Sequence, residues 1–408
     1  MLIKPKTIDC TVTVPYSKSE FLRACLISML RGNSEIHNIS KSSDAQAGLA
    51  ILQKFSNYNL YENKIIISKS KTNENYFFDC NESAFLARSL TAIAVLMKWD
   101  AIISGSGTLA KRNLSDVYSF LQCNEIHFDG KAPNLPIRIY PKQNLEKINI
   151  EGEQSSQLLS GALIGNAFLD KPTLLNCKNF ISKGYIRLTL DMLQKAGIEY
   201  DYNGFSFVVI HKDISKIVKF EISGDWSAAA FAIVAGLVAG KTVIKNLSPR
   251  SVQPDSIILD FVKKLGANIN EKADGNGYEI FCEKSEIPAF EIDLTDNPDL
   301  IPPLVVLALN ANGISKIKGV QRLINKESDR KNAILEEFAR IGARINCLDD
   351  SFIIEGKAKL NGGNASTHND HRIAMALAIA VLNSKSGIVL DNPACVSKSF
   401  PNFWDIFS

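Results

Sequence analysis

The chain has 408 residues, of which 46% are hydrophobic and 22% charged, with a formal net charge of +3. That length exceeds one ordinary core and calls for two domains, while the small net charge excludes nucleic acid and anionic membranes as bulk partners, so cationic function must come from local clustering. Eight cysteines scattered without a CxxC pair fit a reducing cytoplasm, and no apolar run is long enough to span a membrane.

In chain order, the N-terminal MLIKPKTIDCTVTV alternates like a strand. VPYSKSEFLRA follows, crowding Lys18, Ser19 and Arg23 at the start of an apolar helix. From there one unit recurs six times: a small-residue apolar helix, a short turn, then a β-rich stretch. The segments begin RACLISML at 23, LTAIAVLM at 90, LLSGALIG at 158, AAFAIVAG at 229, PLVVLALN at 303 and MALAIAVL at 375. A second, amphipathic helix follows in YIRLTLDMLQKAG, DSIILDFVKKLGA and NAILEEFARIGAR, where Gly197, Gly266 and Gly342 stand at C-cap positions. Strand-like runs come next: FSFVVI at 205–210, YEIFC at 278–282 and FIIEG at 352–356, with ADGNG as a turn. Each unit therefore reads βαβαββ. The first helix of each, apolar nearly all round, should be buried. Three units per domain put a boundary near residues 220–226. A solenoid is the competing reading, and the long period with two helix types and hairpins argues against it.

Polar residues collect upstream of these helices. The linkers read SKSEFLR, NESAFLARS, EGEQSSQ, SGDWS, TDNPD and HNDHR before the apolar helices, and KSSD, KRNLSD, SKGY, SVQPD, NKESDR and VSKSFP before the second ones. A helix start carries unpaired N–H groups and partial positive charge, so it favours anions. Ordinary N-capping accounts for Asp44, Asp116 and Asp225, at about 1 kcal/mol each. It does not account for Lys18, Arg23, Arg88, Arg112, Lys326, Arg330, Arg372 and Lys398, because cations there oppose the helix dipole. Their recurrence in both halves points to a bound polyanion, held by formal charge and guanidinium forks.

From VPYSKSEFLR to VSKSFPNFW the chain resembles the 5-enolpyruvylshikimate-3-phosphate synthase family, through SSQLLSGAL, SKGYIRLTL, DNPDLIPPL, NKESDRKNAILEEFARIGA, NDHRIAMALAIAV and SKSFPNF. The resemblance implies an α/β fold: a two-domain inside-out barrel of six βαβαββ repeats, with residues 1–13 and 225–408 as one domain, 14–224 as the other, and the active site in the cleft between them. It implies transfer of the enolpyruvyl (carboxyvinyl) group of phosphoenolpyruvate to the 5-hydroxyl of shikimate 3-phosphate, with release of phosphate, by a monomer needing no cofactor or metal.

By the same resemblance Lys18, Asp299, Glu327 and His371 carry the catalysis. Lys18, Ala84, Arg88, Arg112, Gln157, Arg330, Arg372 and Lys398 bind phosphoenolpyruvate. Lys18, Ser19, Arg23, Ser155, Ser156, Gln157, Ser182, Tyr185, Asp299 and Lys326 bind shikimate 3-phosphate. Glu327 needs a proton despite cationic neighbours, supplied by coupling to Lys18 or by desolvation. His371 is open between proton transfer and a capping or positioning role. A metal reading of His368 and His371 lacks a third ligand.

NESAFLARS departs from the family pattern. Ala84 stands where a glycine is usual, which implies reduced sensitivity to glyphosate. Phe85 replaces a small residue, and Glu82 puts an acid near an anion site. Two alternatives stand beside the main reading. A UDP-N-acetylglucosamine enolpyruvyl transferase is opposed by Ser19 after Lys18 and by the lack of a cysteine nearer Arg112 than Cys123. A non-catalytic relative is opposed by Lys18, Asp299, Glu327, His371 and Lys398 standing together with the arginines.

Overall fold

A helix with no polar face must be covered on every side, and most of the architecture follows from that demand. The computed structural model of the chain describes residues 1–70, 76–142, 145–153, 155–274 and 277–408. It divides into one unit of residues 17–222 and another made of residues 1–16 and 223–408. The α-helices of the first are α1 (Lys18–Arg31), α2 (Ser43–Phe55), α3 (Ala84–Leu96), α4 (Gly107–Ala110), α5 (Ser115–Cys123), α6 (Gln157–Ala167) and α7 (Lys183–Lys195). The second contains α8 (Trp226–Ala239), α9 (Ile257–Lys264), α10 (Ile301–Asn310), α11 (Arg330–Arg340) and α12 (His371–Ala380).

In the unit of residues 17–222, α1, α3 and α6 are the buried helices. Small residues let two of them approach closely. A Cβ on Gly161 of α6 would fall 2.4 Å from the Ser89 Cα of α3, so only glycine fits that crossing. Three four-stranded sheets complete the unit. In one, Tyr76–Asp79 runs parallel to Ala101–Ser104, which pairs antiparallel with Ile137–Ile139 and through it with Phe128–Gly130. Lys147–Glu151, Leu174–Lys178, Ser206–Lys212 and Ile198–Tyr202 repeat that order. In the third, Ser34–His37 takes its parallel partner from the far end of the segment, Val218–Glu221.

The other unit repeats the plan around α8, α10 and α12, which are buried throughout their middle turns. Ile8–Thr13 runs parallel to Gly240–Lys245, and Glu291–Asp293 parallel to Ile314–Lys318. The hairpin strands read from FIIEG and YEIFC are observed as Ser351–Glu355 and Gly277–Glu283. Gly275 and Asn276 of the ADGNG turn lie outside the described residues. Gly197, Gly266 and Gly342 take φ of +83°, +77° and +94°, the left-handed values that end α7, α9 and α11.

The sixth repeat is shorter than βαβαββ. After Ile388–Leu390 come 3-10 segments, Pro393–Lys398 and Phe403–Phe407, in place of a second α-helix and hairpin. Pro393 opens the first of these segments, where its missing N–H costs nothing, and Pro401 stands between the two with no N–H to donate. The chain's own start, Leu2–Ile3, supplies the third strand of that sheet. Among the described residues, no helix is long and apolar enough to cross a membrane.

Candidate active site

Each unit gathers its chemistry at the starts of its helices. In the unit of residues 17–222, Ser17 caps α1 by accepting the Glu20 N–H at 3.3 Å, which makes Lys18 the first helical residue. Lys18 Nζ lies 2.9 Å from Asp44 Oδ2 at the start of α2. One helix turn further on, Arg23 is 2% exposed. Its Nε donates to Thr189 Oγ1 (2.8 Å), Nη1 to the Ser19 carbonyl (2.9 Å), and Nη2 to Ser160 Oγ (3.4 Å) and the Tyr185 carbonyl (3.3 Å). The guanidinium lies 4.6 Å from the centre of the Phe85 ring and 5.9 Å from that of Tyr185. Among the described residues no carboxylate comes within ion-pair distance of it, and burial lowers its pKa to about 10.

Arg88 of α3 is held differently. Asp116 of α5 grips it bidentately, at 2.6 Å to Nε and 3.0 Å to Nη2, and Gln157 Oε1 accepts from Nη1 at 3.2 Å. Gln157 opens α6, its N–H donating to Ser155 Oγ at 3.2 Å, and Ser156 is the N-cap residue beside it. Gln154, in the same linker, lies outside the described residues. Ser182 precedes α7 in a left-handed conformation, φ +56°, which costs a non-glycine residue energy and marks a constrained position. Ala84 is the first, buried residue of α3. Arg112 is half-buried between α4 and α5.

In the other unit the charges interlock. Arg330, 1% exposed at the start of α11, donates from Nε to Asp370 Oδ2 (2.7 Å), from Nη1 to Asp299 Oδ1 (3.0 Å) and from Nη2 to Glu327 Oε2 (2.6 Å). Asp299, just before α10, also accepts from Arg372 Nη2 at 3.0 Å and lies 3.6 Å from Lys326 Nζ. Burial alone would raise the Asp299 pKa, but Arg372, Lys326 and Arg330 overcome it and hold the carboxyl far below the usual range. Burial lowers Lys326 to about 8, aided by Arg330 and Arg322 and opposed by Asp299. Buried Asp255, ahead of α9, accepts from Ser227 Oγ and from Asn297 Nδ2. Its pKa is raised to about 6, by burial first and then by the Asp299 charge. His371 is buried with Nδ1 3.7 Å from Asp370 Oδ1, and Lys398 is buried at the end of its 3-10 segment.

Several local readings are corrected by this geometry. Asp225 caps α8, its carboxylate accepting the Ala228 N–H at 2.9 Å. Asp44 and Asp116 are not caps. Ser42 caps α2, α5 has no side-chain cap, and the two acids neutralise Lys18 and Arg88. The capping role open to His371 belongs to Asp370, which accepts the Arg372 N–H at 2.9 Å. Lys398 does not precede an α-helix: it closes the 3-10 segment Pro393–Lys398, and another 3-10 segment follows it. Glu82 is turned to structure: its carboxylate accepts the Thr108 N–H at 2.8 Å and fills the space a Cβ on Gly107 would need. His368 Nε2 lies 3.0 Å from Glu337 Oε1, whereas His371 stands beside Asp370. Lys18, Arg88, Lys326, Arg330 and Arg372 all carry internal carboxylates, so their recurrence is not by itself a record of unbalanced charge. Thr189, Ser160, Asp116, Asp44, Asp255 and Asp370 were not singled out as site residues, since nothing local distinguishes a neutralising acid from a cap.

The profile of the EPSP synthase (3-phosphoshikimate 1-carboxyvinyltransferase) family matches residues 2–407. The 3-phosphoshikimate 1-carboxyvinyltransferase of Clostridium acetobutylicum is 36% identical over 414 residues, covering 98% of this chain and 95% of that protein. That of Clostridium novyi is 35% identical over 420 residues, with 99% and 96% covered. Among solved structures, EPSP synthase from Acinetobacter baumannii matches with a TM-score of 0.77 at 22% identity, covering 99% of this chain and 96% of that one. The enolpyruvyl transferase NikO from Streptomyces tendae gives 0.74 at 13% identity, covering 100% and 96%. At those identities the structural likeness is one of fold. The chain belongs to the EPSP synthase family, and the two alternative readings are not favoured.

Proposed function

We infer that the protein transfers the carboxyvinyl group of phosphoenolpyruvate to the 5-hydroxyl of shikimate 3-phosphate, releasing phosphate. Family membership over nearly the full chain supports the reaction. The geometric observation behind the residue roles is the convergence of Arg330, Arg372 and Lys326 on one small carboxylate, Asp299. Two guanidinium groups and an ammonium meet on this acid, with Glu327 and Asp370 also on Arg330, and a phosphorylated carboxylate is the kind of anion that can compete for such groups. All eight cysteines are free, in keeping with a cytoplasmic protein, and the expected active form is a monomer.

The reaction adds the 5-hydroxyl oxygen to C2 of phosphoenolpyruvate while a proton reaches the C3 methylene. Loss of a methyl proton and of phosphate then restores the double bond. Glu327 and Lys18 are assigned proton delivery, Asp299 acceptance of the hydroxyl proton, and His371 proton transfer or positioning. With three cations upon it, Asp299 is too acidic to be an effective base. Anionic substrates draw those cations away, and its proton affinity then rises toward the ordinary carboxylate range. Substrate binding thereby prepares the base.

In the unit of residues 17–222, Ser19, Arg23, Ser155, Ser156, Ser182 and Tyr185 are assigned to shikimate 3-phosphate, Ala84, Arg88 and Arg112 to phosphoenolpyruvate, and Lys18 and Gln157 to both. In the other unit Asp299 and Lys326 are assigned to the former substrate, and Arg330, Arg372 and Lys398 to the latter. The test is phosphate release in the presence of both substrates, with the enol ether product identified by mass. Release that requires both substrates supports the assignment, and no product at saturating concentrations refutes it.

A further inference from the structure

Two facts about Arg23 belong together. It is buried, yet among the described residues every group in direct contact with its guanidinium is neutral: two hydroxyl groups, two carbonyls and two aromatic rings. Four of its five N–H groups have acceptors, which leaves one Nη1 hydrogen without an acceptor among the described residues. A carboxylate in the place of Phe85 would hold the guanidinium equally well, but it would cancel the charge. An aromatic face attracts the cation through its quadrupole and keeps water from one side of it, without neutralising it.

We propose that Phe85 is a specificity-determining positioning residue for shikimate 3-phosphate: its ring fixes and dries the Arg23 guanidinium without forming an ion pair, so that a positive charge not bound to a carboxylate and a free N–H meet the anionic substrate. The proposal rests on the assignment of Arg23 to that substrate. It gives the departure at position 85 a physical role in place of a misfit. The ring sits at the second residue of α3, and its partner comes from the second turn of α1, so two helix starts jointly build the contact. A drier surround also strengthens the attraction to an anion, because the effective dielectric there is lower than in water.

The experiment is titration of the whole chain with shikimate 3-phosphate for the wild type, Phe85→Tyr, Phe85→Leu and Arg23→Lys, together with kcat and both KM values. Phe85→Tyr keeps the ring face and is expected within about twofold of the wild type. Phe85→Leu keeps the bulk but loses the face, and its affinity for shikimate 3-phosphate is expected to fall roughly 5- to 30-fold, with kcat and the phosphoenolpyruvate KM changing less than about threefold. Wild-type affinity in Phe85→Leu, or equal losses in the Leu and Tyr variants, overturns the proposal. Matching unfolding midpoints for the two variants exclude a difference in folding as the cause. Arg23→Lys separates the two levels of inference. Wild-type affinity there removes the Arg23 assignment itself, whereas a weakened Arg23→Lys beside an unaffected Phe85→Leu removes only the role of Phe85.

Discussion

Arg23 and Arg330 are both buried guanidinium groups near a helix start, one in each unit, and they are kept in opposite ways. Arg330 is surrounded by Asp370, Asp299 and Glu327, so its charge is already spent inside the protein. Arg23 is held by hydroxyls, carbonyls and aromatic faces, with Glu20 acting on it only from beyond ion-pair distance, so its charge is not taken up by a salt bridge. The first arrangement holds the acids in register until, on the proposed assignment, an anionic substrate competes with them for the cation. The second, on the proposal above, holds electrostatic free energy in reserve for a ligand. A buried cation is therefore a poor guide to function until its partners are known.

The contrast can be tested from both sides. Glu327→Gln removes one of the acids around Arg330 and a proposed proton donor, and turnover is expected to fall on the order of 10²–10⁴. Steady-state phosphate release measures it, and unchanged turnover would remove Glu327 from the chemistry. Arg330→Met leaves Asp370 buried without its cation and is expected to cost about 3–5 kcal/mol in denaturant unfolding. A loss under 1 kcal/mol would mean that the acids do not depend on Arg330.

A third expectation concerns pH. Lys326 is held at about 8, so it loses its charge as pH rises through that value. The kcat/KM for shikimate 3-phosphate should be level below about pH 8 and decline roughly tenfold per unit above it, and Lys326→Arg should abolish the decline. Asp255 supplies the smallest effect. Its folded pKa of about 6 lies above the ordinary value, so the folded state binds the proton more tightly than the unfolded state does. That contribution to stability is complete below the unfolded pKa and is lost as pH rises through about 6, amounting to on the order of 2–3 kcal/mol. Asp255→Asn should therefore gain stability relative to the wild type between pH 4 and pH 8, seen as a difference in thermal midpoint that grows with pH.

The repeat plan was legible because burial on all sides leaves a plain mark: LVVLALN and AAFAIVAG have no polar face to misread. The left-handed glycines at 197, 266 and 342 were legible because a helix end imposes a local backbone requirement. Partner choice was not. Asp44, Asp116 and Asp370 all stand where a capping acid would stand, and only tertiary packing brings Asp44 to Lys18, Asp116 to Arg88 and Asp370 to Arg330. Phe85 read as a mismatch for a related reason, since its partner Arg23 lies on another helix. The shortened sixth repeat was hidden because its first helix follows the common pattern and the change comes only after Pro393.

The most direct test of two differently held cations is Arg23→Met, measured twice: by denaturant unfolding and by titration with shikimate 3-phosphate. Removing a buried charge that has no carboxylate at ion-pair distance among the described residues, and feels only the more distant Glu20 of its own helix, should cost less stability than Arg330→Met does, under about 3 kcal/mol, while affinity falls roughly 10- to 100-fold. A stability loss as large as that of Arg330→Met, with affinity retained, would contradict the claim that Arg23 keeps its charge for the substrate.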